Sequence, residues 1–210
     1  MKVAVIAANG KTGNKIVTEA VNRGFEVTAV VRHENQTIAQ HELKKDLYDL
    51  TAGDLKEFDV VVDAFGVWDP EKLTEHTTSL LHLADALSQT DTRLLVVGGT
   101  GSLYVDKAHT VQLKDTPDFP ETFFPLAAQM SVALTELRKR DDVNWVYISP
   151  AADFQADGQR TGTYALAGEE LTVNDAGDSY ISYADYAIAV VDEIEKGTHK
   201  QERISVYQKN

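Results

Sequence analysis

Residues 7–13 read Ala7-Ala8-Asn9-Gly10-Lys11-Thr12-Gly13 and stand between an apolar run at residues 3–7 and a segment with helical periodicity. A glycine at position 10 lets the backbone come close to a bound group, and the glycine at position 13 lets the helix pack tightly on the strand. The first turn of such a helix offers unpaired N–H groups and the positive end of its dipole to an anion. This stretch therefore predicts a phosphate-binding turn between a buried strand and a helix.

Short β-branched apolar runs alternate along the chain with segments of helical periodicity. Each run is bounded by Gly, Asp or Pro, which is typical of strands that helices cover on both faces. Repeated strand–helix–strand units connect through right-handed crossovers, so we predict an α/β fold, a Rossmann-like doubly wound parallel sheet with helices on both faces. The predicted strands lie at residues 3–7, 26–31, 60–64, 94–98 and 143–148.

Helix boundary signals separate these strands. A glycine is common just beyond a helix C-terminus, and proline is common in the first turn. A Ser or Thr followed three residues later by an acidic residue caps a helix N-terminus. The signals are Gly24 after the first helix, Asp69-Pro70 before the second (to about residue 89), Pro125 opening the third, and Ser182-x-x-Asp185 before the fourth.

The alternation loosens after Pro150. Short strands are predicted at residues 162–166 and 171–173, followed by one helix and a final strand at 203–207. No linker or low-complexity tract separates this part from the rest. We therefore predict a single domain over residues 1–210, in which residues from about 150 to 210 complete the substrate side at the carboxyl edge of the sheet.

Composition narrows the function classes. The 210 residues include 20 Lys and Arg against 33 Asp and Glu, a net charge of −13. Nucleic acid and anionic membranes select for positive charge, so we expect a small-molecule substrate, no nucleic acid and no membrane. The absence of Cys excludes disulfides, thiolate metal sites and a cysteine nucleophile.

Histidine spacing and apolar content complete these exclusions. The six His residues show no metal-ligand spacing, so no metal is expected. No segment approaches ~18 consecutive apolar residues, and the apolar run at the N-terminus is too short for a signal peptide. We therefore expect a cytoplasmic protein.

Arg32 follows the second predicted strand, about twenty residues beyond the glycine turn. In dinucleotide-binding folds an acidic residue at this place holds the ribose 2′-OH, whereas an arginine accommodates a 2′-phosphate. Arg32 therefore favours NADP(H) over NAD(H), with an exposed surface arginine as the alternative interpretation.

Two more loops follow predicted strands at the same edge of the sheet. One contains Phe65 and Gly66, and the other is Gly98-Gly99-Thr100-Gly101-Ser102-Leu103. Closely spaced glycines are costly unless the backbone must turn sharply or approach something closely. We predict that both loops pass the nicotinamide half of the cofactor, with Phe65, Gly66, Gly99 and Thr100 among the cofactor-binding residues.

Ser102 is the candidate catalytic residue of the second loop, since its hydroxyl could hydrogen-bond a carboxamide or the substrate; a turn cap is the alternative. The Tyr-x-x-x-Lys pair that supplies a proton in short-chain dehydrogenases is missing, because no Tyr has Lys four residues later. Hydride transfer to a flavin chiefly needs ring stacking and orientation. The predicted substrate contacts are Phe65, Trp68, Ser102 and Phe154, with core packing as the alternative for each aromatic side chain.

The order of the motifs resembles a known family, the NADH-flavin reductases. These are atypical relatives of the short-chain dehydrogenases with an NAD(P)-binding Rossmann fold, and mammalian flavin reductase (biliverdin reductase B) is a more distant likeness. The resemblance covers nearly the whole chain. The motifs that carry it are Asn9-Gly10-Lys11-Thr12-Gly13, Val31-Arg32, Phe65-Gly66, Gly98-Gly99-Thr100-Gly101-Ser102-Leu103, Ser149-Pro150-Ala151, Arg160-Thr161-Gly162-x-Tyr164 and Ile181-Ser182-Tyr183-x-Asp185-Tyr186-Ala187.

The resemblance implies a role for each motif residue. Arg32 would lie at the adenosine 2′-phosphate, and the loops of Phe65 and Ser102 would lie beside the nicotinamide. Ala7 departs from the usual glycine, and we expect this difference to tighten the turn without abolishing binding. The remaining cofactor-binding residues are Ala7 and Asn9 together with the pyrophosphate contacts Gly10, Lys11, Thr12 and Gly13.

Two functions from different classes follow. The first is an NAD(P)H-dependent oxidoreductase that passes hydride to a flavin (FMN, FAD or riboflavin) or a similar acceptor. The second is a non-catalytic NAD(P)-binding redox sensor that regulates a partner. A sugar-nucleotide epimerase ranks last, because it also needs the missing Tyr and Lys pair.

Overall fold

A computed structural model of the chain describes residues 1–209 and places an eight-stranded sheet at its centre. In chain order the strands are β1 (Lys2–Ile6), β2 (Glu26–Val31), β3 (His41–Lys44), β4 (Val60–Asp63), β5 (Arg93–Val97), β6 (Asn144–Pro150), β7 (Asp153–Gln155), β8 (Ala165–Ala167), β9 (Tyr180–Ser182) and β10 (Glu202–Tyr207). The helices are α1 (Lys11–Asn22), α2 (Ala52–Leu55), α3 (Glu75–Ala86), α4 (Phe124–Leu137) and α5 (Tyr183–Lys196).

The strand order in the sheet is β3-β2-β1-β4-β5-β6-β10-β8. All neighbouring strands are parallel except β8, which runs antiparallel to β10. The chain winds from β1 outward to β3 and then returns to β4 on the other side of β1, so the topological switch point lies between β1 and β4. Ligands of such sheets bind outside the carboxyl ends of the strands at this point. The predicted Rossmann-like α/β fold is confirmed.

Two apolar layers cover the sheet, one on each face. On one face α1 and α5 pack together over the strands, and fully buried Ile16, Val17 and Tyr186 belong to this layer. On the other face α3 and α4 pack together, with Leu83 and Leu137 in the core. The continuous apolar strands follow from this cover, because a strand between two helix layers has no solvent-facing side.

Several predicted boundaries are confirmed. Gly24 follows α1 with φ +81°, which suits glycine just beyond a helix C-terminus. The Ser182 hydroxyl accepts a hydrogen bond from the Asp185 N–H at 3.0 Å and so caps α5. Pro125 lies in the first turn of α4.

Three predictions of regular structure were wrong. Residues 171–173 form no strand, because the Leu171 N–H pairs with the Tyr104 carbonyl in an isolated contact rather than in a ladder. The strand expected at 162–166 begins only at Ala165 and ends at Ala167, since Gly162 turns the chain at φ +80°. Residues Pro70–Lys72 form only a 3-10 turn, capped by Asp69, and α3 begins later.

Candidate functional site

The turn between β1 and α1 is built around close backbone packing. The Gly10 N–H donates to the Ala7 carbonyl at 2.9 Å, which closes the turn. A Cβ at Gly13 would lie 2.6 Å from that carbonyl oxygen and 3.1 Å from the Ala8 Cα, so only glycine fits there. These short distances reflect close packing of the helix on the strand, which is the role that the sequence predicts for Gly13.

The N-terminus of α1 is not capped by any side chain within residues 1–209. Gly10 is the N-cap residue in an extended conformation, and the first N–H groups of a helix have no partner inside the helix. No acidic residue lies in the first turn. The helix therefore presents donors and a positive dipole end at the switch point, which is a favourable place for an anion.

Ala7 adopts a left-handed backbone conformation with φ +56°. An L-residue with a Cβ occupies this region at a cost of about 1–2 kcal/mol relative to right-handed backbone. This is the position at which the sequence departs from the glycine of related motifs. The turn keeps the glycine-like geometry although the residue is alanine.

Asn9 connects the turn to the loop after β2. Its Nδ2 donates to the Glu34 carbonyl at 2.9 Å, and its Oδ1 accepts from the Gln36 N–H at 2.8 Å. Both ends of the amide are therefore used to fix the loop that begins at Arg32. Arg32 itself is exposed, and it makes no ion pair with any other residue in the described part of the chain.

The loop at residues 65–66 lies over a buried carboxylic acid. The Phe65 N–H donates to Oδ1 of Asp63 at 3.0 Å, and Asp63 at the end of β4 is only 4% exposed. Burial raises the pKa of Asp63 to about 6. The ring of Phe65 contacts that of His76 on α3 at 5.9 Å between centroids, and burial lowers the pKa of His76.

Aromatic side chains also meet at the rim of this loop. Trp68 and Phe123 are 69% and 48% exposed, and their ring centroids are 6.2 Å apart in an edge-on arrangement. Phe154, by contrast, packs on the layer of α1 and α5, with Tyr183 and Tyr186 at 4.0 and 4.9 Å between centroids. Phe65 packs against the layer of α3 and α4, so these two predicted substrate contacts belong to opposite layers.

The glycines of the loop after β5 make room for neighbouring side chains. A Cβ at Gly98 would overlap the ring of Tyr147, and one at Gly99 would lie 2.8 Å from the Met130 sulfur. The Gly99 N–H donates to the Tyr147 hydroxyl at 3.1 Å. The Thr100 hydroxyl donates to the Pro150 carbonyl at 2.9 Å, which ties this loop to the end of β6.

Ser102 is 5% exposed, and its hydroxyl oxygen accepts a hydrogen bond from Nη1 of Arg203 at 2.8 Å. Arg203 is 3% exposed and also pairs with the Glu169 carboxylate. Accepting this bond leaves the Ser102 hydroxyl proton available for another acceptor. The structure thus places the candidate catalytic serine beside a buried arginine whose carboxylate partner is partly exposed.

Sequence reasoning missed the roles of Asp63 and Asp185. The carboxylate of Asp185 is fully buried and accepts from the Thr161 N–H at 3.0 Å, the Thr161 hydroxyl at 2.8 Å and the Gly162 N–H at 2.8 Å. It therefore joins two motifs that lie twenty-odd residues apart in the sequence. The capping-box pattern at Ser182 predicts the helix start but not this second use of the carboxylate.

The described residues contain neither a candidate metal site nor a candidate membrane-spanning helix. Residues 1–209 contain no cluster of three or more His, Cys, Asp or Glu side chains that could hold a metal ion. None of the helices within that range is long and apolar enough to cross a membrane.

Comparison with known proteins identifies the family. Residues 7–196 match the NAD(P)H-binding family, and the chain belongs to it. The "Uncharacterized protein YwnB" of Bacillus subtilis (strain 168) is 48% identical over 209 residues, which are 98% of each chain.

Solved structures agree with this assignment. A "putative NADH-flavin reductase" of Streptococcus pneumoniae is 55% identical, covers 100% of both chains and superimposes with a TM-score of 0.98. A "putative epimerase" of Bacteroides thetaiotaomicron is 34% identical, with a TM-score of 0.85 over 100% of this chain and 97% of that one. The NAD(P)H-binding Rossmann-like fold predicted from the sequence is therefore confirmed.

Proposed function

We propose that the chain is an NADP(H)-dependent oxidoreductase that passes hydride from the nicotinamide to a flavin or a similar planar acceptor. The observation that carries the proposal is the N-terminus of α1 at the switch point of the sheet, which no side chain of residues 1–209 caps. Arg32, which has no ion-pair partner within the same range, lies at the end of the neighbouring strand. A pyrophosphate needs such donors, and a 2′-phosphate needs such a cation. When bound, a reduced nicotinamide supplies a hydride.

The residues present fit a dinucleotide. The backbone of Gly10 to Gly13 would hold the pyrophosphate, because Ala7 closes the turn and no side chain in the described part of the chain caps the N-terminus of α1. Arg32 would pair with the 2′-phosphate, and Asn9 would hold the loop of Arg32 in place. The 65–66 and 98–102 loops would border the nicotinamide at the same edge of the sheet.

Two features of the chain indicate the acceptor: it lacks the residue pair used for carbonyl reduction, and it exposes aromatic side chains near the site. No Tyr-x-x-x-Lys pair is present for carbonyl reduction. The exposed Trp68 and Phe123 would face a planar, aromatic acceptor at the rim of the site. The relative from Streptococcus pneumoniae bears the name of an NADH-flavin reductase, which supports the same class of acceptor.

Stopped-flow mixing of the protein with NADPH and FMN tests the proposal. We expect the nicotinamide absorbance to fall faster than in a matched mixture without protein, and NADPH to be used better than NADH. Tight NADPH binding with no acceleration by FMN, FAD, riboflavin or a quinone would contradict it and would instead favour the redox-sensor function.

A further inference from the structure

Asp63, Ser79 and Tyr147 line one small cavity between the sheet and the layer of α3 and α4. The cavity has room for about one water molecule. The Ser79 hydroxyl is 1% exposed and has no hydrogen-bond partner among the described residues. A buried hydroxyl without a partner is costly, so a water molecule shared with a polar neighbour would satisfy it.

The carboxyl group of Asp63 is the polar neighbour that faces the same cavity. The hydrogen bond from the Phe65 N–H reaches its Oδ1, and no cation pairs with it among residues 1–209. Burial without a compensating cation favours the neutral, protonated carboxyl group. The cavity is also lined by Phe65, which belongs to the first of the two loops that we assign to the nicotinamide, and by Val97, which directly precedes the second loop.

We propose that Asp63, through one water molecule held against Ser79, supplies a proton to the acceptor as hydride is transferred above the 65–66 loop. The inference rests on the proposed function. Asp63 would act as a positioning residue and proton store, which is the part that the absent Tyr and Lys pair plays in related dehydrogenases.

The step balances in atoms and charge. The acceptor gains two electrons and one hydrogen as hydride, and it needs one proton to become the neutral reduced product. The O–H bond of Asp63 breaks, its proton moves through the water molecule to the acceptor, and a carboxylate remains. The positive charge left by hydride loss and the negative charge of this carboxylate offset each other until solvent returns a proton to Asp63.

Few other titrating groups face this carboxyl group. His76 from α3 and Tyr147 from β6 line the cavity, whereas α4 contributes Met130 and β5 contributes Val96. The ring of His76 is committed to the Val67 carbonyl at 2.9 Å, and burial raises the pKa of Tyr147 to about 12. Neither group is therefore placed to replace Asp63 as the proton source near pH 6.

The first measurement needs no turnover. The side-chain carboxyl resonance of Asp63 in protein labelled with ¹³C-aspartate, assigned by its loss in Asp63→Asn, should titrate near pH 6. A midpoint near the ordinary 3.8 would overturn the proposal. Asp91→Asn is the matched control, because Asp91 is exposed at the opposite edge of the sheet and its loss should leave the Asp63 resonance unchanged.

The second measurement follows one turnover of NADPH with FMN in weak buffer containing a pH-indicator dye. Below pH 6 the wild-type protein should oxidise NADPH before it takes a proton from the medium, whereas in Asp63→Asn both signals should change together. The rate of NADPH oxidation by the wild type should fall about tenfold per pH unit above the midpoint of the Asp63 titration. The rate of Asp63→Asn should not change with pH over this range. In Ser79→Ala the carboxyl group of Asp63 should still titrate near the same pH, but proton transfer to the acceptor should be several-fold slower.

The outcomes separate the two proposals. Oxidation of NADPH with simultaneous proton uptake in the wild type would overturn the proton store while leaving the oxidoreductase function intact. No oxidation of NADPH with any acceptor would overturn the function and this inference with it. A delayed proton signal that Asp63→Asn abolishes and Asp91→Asn retains would support both.

Discussion

Replacing Asp63 with Asn should remove a pH dependence from the stability of the fold. The two side chains have nearly the same shape, and the Asn carbonyl can still accept the hydrogen bond from Phe65. Burial raises the pKa of Asp63 from the usual 3.8 to about 6 in the folded protein. An acid with a raised folded pKa stabilises the fold fully below its unfolded pKa, and this stabilisation is lost as pH rises through the folded value.

The magnitude follows from the two pKa values. A difference of about two pH units corresponds to about 3 kcal/mol, since each unit is worth about 1.4 kcal/mol. The free energy of unfolding of Asp63→Asn relative to the wild type should therefore increase by about 2.5 kcal/mol between pH 4 and pH 8, because a small part of the change lies below pH 4. Most of the increase should occur between the usual pKa of 3.8 and the folded pKa of about 6. The difference in free energy should be constant at higher pH.

Urea denaturation of both proteins across this pH range measures the difference directly. All other titrating groups are shared, so their contributions cancel in the comparison. Stability curves that run parallel from pH 4 to pH 8 would show that Asp63 titrates alike in the folded and unfolded chains, which contradicts a raised pKa in the folded protein.

Two further substitutions test the backbone geometry. Ala7→Gly should raise the free energy of unfolding by about 1 kcal/mol, because glycine adopts φ +56° without the steric cost of a Cβ; unchanged or lower stability in a thermal melt would contradict this. Gly98→Ala should lower it by about 1–3 kcal/mol, because the new Cβ would overlap the Tyr147 ring. Gly53→Ala in α2 is the control, since its Cβ would meet only an ordinary contact at 3.5 Å and stability should not fall; equal losses in both variants would show that overlap is not the cause.

The central strands could be predicted because burial on both faces demands a continuous apolar run. β1 and β4 are examples, and their carboxyl ends also fix the switch point. β3 could not be predicted, since it reads His41-Glu42-Leu43-Lys44 and is mostly exposed at the edge of the sheet. Backbone hydrogen bonds to β2 hold β3 in place, and the pattern of apolar and polar residues in the sequence does not indicate such bonds.

In the site, too, features that depend on neighbouring residues in the sequence could be predicted, and features that depend on distant residues could not. The turn at residues 7–13 is a local structure, so its glycine pattern predicts the close packing at Gly13. The glycine at position 98 also signals a close approach, but the ring that it accommodates belongs to Tyr147, nearly fifty residues further along. Asp63 ends its strand as a polar residue often does, and only the cover of α3 and α4 makes it a buried acid.

Binding of NADPH and NADH to the wild type and to Arg32→Ala measures whether Arg32 recognises the 2′-phosphate of the cofactor. Fluorescence titration of the wild type should show tighter binding of NADPH. A charge-assisted contact to a phosphate is worth about 1.5–3 kcal/mol, so Arg32→Ala should weaken NADPH about 10- to 150-fold and leave NADH nearly unchanged. Lys56→Ala, which removes an exposed cation at the opposite edge of the sheet, should change neither. Equal weakening of both dinucleotides by Arg32→Ala would contradict recognition of the 2′-phosphate by Arg32, and no binding of either to the wild type would contradict a dinucleotide site at the switch point.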